Sequence, residues 1–258
     1  VRKHFSAPTS QTLRGHSVTA WIDLAKICPG HPEIVLASVR AELGKEFKFV
    51  VDPQVGDLAK LVSAERKRFA VMRRGLARAR KEAQNRRELQ DALAYWSAVT
   101  ALGEGDREAA THSLLAARAS RLYLRSTLDR LEAIAAMQRE ELPRARTLAF
   151  TAALAGDRNE RVLSEYVLAL ALDRSGDFSG AAAFVAKSAA VDPGRQLARI
   201  LQAWLPPTEK VYLEALILSS NPMEVERAKA WWTEMEASSL LSANDRARAS
   251  AHVIALTR

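Results

Sequence analysis

One cysteine, Cys28, stands in 258 residues, so no internal disulfide framework and no thiolate metal cluster can form. Glycine is held to 11 positions and aromatic residues to 6%, while apolar residues make up 48%, with Ala and Leu throughout and few β-branched runs. That mix favours helix by propensity. No apolar run approaches the ~20 residues that a membrane span needs. The expectation is a soluble chain, with the cytoplasm favoured as its compartment. No apolar segment follows Val1-Arg2-Lys3-His4, so no signal peptide is visible. The absent initiator Met leaves a trimmed leader open, and with it the periplasm.

Catalytic signatures are missing as well. There is no Gly-x-Ser-x-Gly elbow, no phosphate-binding loop, no His-Glu-x-x-His and no Gly-x-Gly-x-x-Gly. The histidines His4, His16, His31, His112 and His252 share no helix turn. Cys28 and His31 lie three apart, but Pro29 and Gly30 make that a turn with no second ligand pair. A packed thiol beside a turn is the plainer reading. The residues therefore predict a protein that is not an enzyme, with no cofactor, no metal and no small-molecule substrate.

What the chain does have is charge, unevenly placed. The net charge is +8, and residues 1–90 hold 18 Lys/Arg against 9 Asp/Glu, whereas residues 91–258 hold 20 against 21. The whole excess lies in the first third, which points to an acidic partner, an anionic membrane surface or a nucleic acid. Residues 1–56 read as a loose arm to 16, a short helix from Ser17, a stop at Cys28–Pro32, a second helix from Pro32 to Gly44, and an extended linker at Phe47–Val51.

From Leu58 a helical pattern runs to Leu102, with a kink near Gly75 or a break near Asn85 expected. Leu58, Leu61, Val62, Phe69, Met72, Leu76 and Ala79 form its apolar stripe, broken at Glu65. The other faces carry Lys60, Arg66, Lys67, Arg68, Arg73, Arg74, Arg78, Arg80, Lys81, Arg86 and Arg87. Residues 57–90 thus read as a basic amphipathic helix. Its cations would hold an acidic protein or anionic lipid, or else be a solvated face whose stems cover apolar surface. With only Phe69 among them to stack on bases, nucleic acid is the weaker option.

The stretch 162–195 is the most informative. Two helix-period segments flank Arg174-Ser175-Gly176-Asp177, Ala181 sits early in the second, and Asp192-Pro193-Gly194 closes it. Upstream, Gly105-Asp106 leads to Ala110, and Glu140-Glu141 leads to Ala145. Ala110, Ala145 and Ala181 are 35 and 36 residues apart. This pattern resembles the tetratricopeptide repeat (TPR), a helix-turn-helix of about 34 residues that stacks on copies of itself. The unit at 126 departs from it in lacking the glycine before its acidic residue. A further pair around Asn221-Pro222 has Ala228 at its crossing. A last helix from Ser242–Asn244, with Val253, Ile254 and Leu256 inward, reads as a cap.

The resemblance implies an all-α, TPR-like right-handed helical-hairpin solenoid over 91–238, preceded by the long basic helix and closed by a capping helix at 239–258. It also implies a function: a non-catalytic scaffold or adaptor holding a partner peptide or amphipathic helix in a concave groove. The groove residues it implies are Tyr95, Trp96, Val99, Arg130, Leu131, Ile134, Tyr166, Val167 and Leu170. Against this stands packing of the same residues on neighbouring helices or on the chain's own arm. The rival function is a regulatory module docking through 60–87.

Overall fold

The computed structural model describes residues 58–82, 87–119, 123–202 and 204–257. The arm, the first short helices, the Cys28–Pro32 turn and the 47–51 linker lie outside the described residues. Within them the chain is all-α, with no strand. The helices are α1 (Leu58–Glu82), α2 (Arg87–Glu104), α3 (Arg107–Ala119), α4 (Arg125–Gln138), α5 (Leu142–Ala155) and α6 (Arg158–Arg174). They continue as α7 (Phe178–Val191), α8 (Gln196–Gln202), α9 (Pro207–Ser219), a 3-10 turn at Pro222–Glu224, α10 (Val225–Ala237) and α11 (Ala243–Thr257).

One turn is made three times. After α2, Gly105 takes φ 76°, its N–H donates to Leu102, and the N–H of Asp106 donates to Ala101. After α4, Glu140 at φ 63° and Glu141 repeat those bonds onto Met137 and Ala136. After α6, Gly176 at φ 83° and Asp177 repeat them onto Asp173 and Leu172. This left-handed cap satisfies the last carbonyls of each helix and sends the chain back. Glu140 supplies the left-handed conformation at the turn where the sequence has no glycine, at the steric cost a Cβ brings there. Asp106 and Asp177 then cap the next helix, accepting from the N–H groups of Ala109 and Gly180.

Five residues beyond each left-handed residue come Ala110, Ala145 and Ala181, all with zero exposure. A methyl at these positions lets helices approach closely, and a larger side chain would overpack them by about 1–3 kcal/mol. Successive helices pack on one another, and α2, α4, α6 and α9 also touch in sequence to form an inner row. The inner row is buried almost all round: α6 from Val162 to Asp173, α9 from Glu209 to Leu218. In α3, α5 and α7 only one stripe is buried, so these form the outer row.

Across the inner row runs α1, which packs on α2 at one end of the row and on α9 at the other. The N–H of Leu58 donates to Glu234 of α10 at 3.0 Å. Phe69 lies against the backbone of Gly103, where a Cβ would sit 1.9 Å from its ring. Glycine there is a packing requirement. Helix α1 ends at Glu82 and α2 begins at Arg87, so the long helical pattern is two helices.

Two expectations need correction. Glu65 does not break the apolar stripe: it is 7% exposed and lies on the buried face with Val62, Phe69 and Met72. Ile254 does not point inward: it is 52% exposed, and α11 instead buries Ala249 and His252.

Candidate docking surface

The residues expected to line a groove are interior residues. Tyr95, Val99, Arg130, Leu131, Ile134, Tyr166, Val167 and Leu170 are all buried, and Trp96 is partly so. The reason is that other side chains of the chain cover them. Tyr95 stacks on Tyr123, centroids 4.2 Å apart, and Trp96 packs against Phe69 and Met72 of α1. Trp204, just after α8, lies over the Arg130 guanidinium at 5.0 Å. As an open surface, then, the expected groove is corrected; its residues hold the inner row together.

Charge buried at these contacts is compensated by charge. The Arg130 side chain, 1% exposed, meets Glu160 at 2.5 Å, tying α4 to α6. The Tyr166 hydroxyl is buried without a hydrogen-bond partner, and burial first, with Asp192 and Glu214 adding to it, pushes its ionisation well above the ordinary range. Between α1 and α9, Glu65 meets Arg68 at 2.5 Å and the Lys210 ammonium at 2.8 Å, an ion pair whose approach angle is poor for a hydrogen bond. Burial pulls Lys210 down to about 8, only partly offset by Glu65, and Arg68 lowers it further.

The C-terminal helix is held by a cluster that no local pattern announces. His252 of α11 stacks on Trp232 at 4.0 Å, and its Nε2 lies 2.5 Å from Oδ1 of Asp173, which is fully buried in α6. Arg248 reaches the other carboxylate oxygen at 3.2 Å. These partners are 79 and 75 residues apart. Glu65 did leave a signal, since an acid on a buried line requires a cation facing it.

The basic residues divide differently from the groove residues. Lys60, Arg66, Lys67, Arg73, Arg74, Arg80 and Lys81 are exposed on α1, whereas Arg68 is buried. Arg73 lies 3.6 Å from Glu104, and Arg80 donates to Ser97 at 2.8 Å. Arg66, Lys67, Arg74 and Lys81 make no ion pair among the described residues. Arg86 and the side chains of Arg78 and Arg87 lie outside the described residues. The face of α1 toward solvent is thus cationic, and the face toward the protein is locked in the core.

Among the described residues no helix is long and apolar enough to cross a membrane, and no group of three His, Cys, Asp or Glu side chains could hold a metal ion. Neither a family model, nor a curated protein, nor a solved structure matches this chain.

Proposed function

We propose that the chain is a TPR-like helical-hairpin solenoid working as a non-catalytic protein docking module, with its groove filled by itself and the outer face of α1 as its partner surface. The partner is an acidic protein. The observation that carries this reading is the run of exposed cations Lys67, Arg74 and Lys81, left without ion pairs on a helix whose other face is anchored. Buried anchors spare the partner the entropy of ordering that helix.

Two features favour protein over the other anionic partners. A helix that enters a membrane surface does so with its apolar face, and Val62, Phe69 and Met72 are already buried here. Single strands bind by stacking bases on aromatic rings, and Phe69, the one aromatic residue of α1, has no exposed surface.

Polyglutamate, read by fluorescence anisotropy, tests the reading on the full chain. Reversing Lys67, Arg74 and Lys81 together to Glu is expected to abolish binding while leaving stability within about 0.5 kcal/mol. Raising salt from about 50 to about 200 mM is expected to weaken the unaltered protein, since exposed charges are screened over that range. Tighter binding of phosphatidylserine vesicles or single-stranded RNA than of polyglutamate would overturn it.

A further inference from the structure

The exposed cations of α1 are in register. Lys60, Lys67, Arg74 and Lys81 follow at seven-residue intervals, and so do Arg66, Arg73 and Arg80 one position behind. Seven residues turn a helix by two turns less about 20°, and advance it by about 10.5 Å. Each set is therefore a nearly straight line of positive charge along the helix axis.

Between the two lines lies a third at the same interval: Ser63, Ala70 and Ala77. At about 100° per residue, this line lies roughly 50° from each of the two. Small side chains there leave room for another backbone to come close. The cations on either side stand where flanking charges select a partner in paired helices. Beside Arg66, Ala70 and Arg73 opens a cleft of about 570 Å³, walled on the far side by Thr208 and Leu240. Glu104 and Asp106 also line it, so that depression suits uncharged side chains of whatever lies along α1.

We propose that the partner is an α-helix whose acidic side chains recur every seven residues, laid lengthwise over Ser63, Ala70 and Ala77. This rests on the reading of α1 as the docking face and adds the partner's secondary structure and charge register. A helix with that repeat follows the Lys60 line along its whole length and meets Arg66 on the other, where Arg73 is shared with Glu104 and Arg80 with Ser97. An extended acidic segment rises ~3.3 Å per residue and cannot keep acids of the same spacing in step with them.

The test uses two soluble helical peptides of about three heptads. One carries Glu at the two positions of each heptad that flank an Ala line. The other has the same composition with its Glu positions permuted around the helix. With the full chain, the in-register peptide is expected to bind at least about tenfold more tightly, several matched pairs contributing a few tenths of a kcal/mol each. Arg74→Glu should weaken that peptide about fivefold and narrow the gap to the permuted one. Arg74 is exposed and unpaired, so circular dichroism should report an unchanged fold. Equal binding of the two peptides, or binding of neither, overturns the helix inference. If polyglutamate still binds and is lost in the triple reversal, the docking reading survives that result; if neither polyglutamate nor either peptide binds, both fall.

Discussion

Helix α5 meets its neighbours through Ala145, Ala149 and Ala152, all with zero exposure, whereas α1 meets α2 through Phe69 pressed on the backbone of Gly103. The stack of helix pairs is made of small residues at a regular interval. The seam along α1 is made of one large ring, one glycine and a buried group of charges. A stack built on methyls repeats because the same close approach recurs at each crossing. The seam occurs once, so its contacts can be specific and polar. Its polar contacts also fix which face of α1 turns outward.

Breaking the comparison at its strongest point means removing a charge from inside the stack. Among the described residues, Arg130→Met leaves Glu160 with only the Thr127 and Ser164 side chains as donors, and should cost about 3–5 kcal/mol in urea unfolding. Adding Glu160→Leu should recover most of that loss, because two apolar side chains need no partner. Equal losses in the single and double variants would show that the pair's charge balance is not what matters there.

The seam makes its own prediction through pH. Lys210 titrates at about 8 in the folded chain against the ordinary 10.5. Between those values the unfolded chain holds a proton that the folded chain has released, so stability rises with pH across that window and is flat in this respect below it. The rise is about 3 kcal/mol. Chemical unfolding at pH 8 and pH 10 should show most of it in the unaltered protein and lose it in Lys210→Met. The same rise in both would remove Lys210 as its source.

The smallest effect sharpens the likeness among the three turns. Glu140 is exposed and holds the left-handed conformation that Gly105 and Gly176 hold in the other two. Glu140→Gly should raise stability by about 1 kcal/mol, the relief of Cβ strain exceeding the added freedom of the unfolded chain. A loss of stability on thermal melting would mean that the turn at 140 is held by something the other two lack.

Much of this was readable from the chain. The interval of 35 and 36 residues between Ala110, Ala145 and Ala181 marks the buried crossings, because a close helix contact demands a small side chain wherever it recurs. The apolar stripe of α1 marks its buried face for the same reason of periodicity. The expected groove was not legible as filled. Trp96 and Arg130 look alike in sequence whether they face a partner or the chain's own Phe69 and Trp204. The acid in the α1 stripe was visible, but Lys210, its cation 145 positions later in the chain, was not.

By itself the sequence determined helix, the repeated turn and the basic face, since propensity, a left-handed cap and seven-residue spacing are local properties of the chain. Only the tertiary structure decided which surface is open. Whether α1 closes the inner row depends on Phe69 finding Gly103 and Glu65 finding Lys210, contacts between segments far apart in sequence, whose encounter no local periodicity encodes.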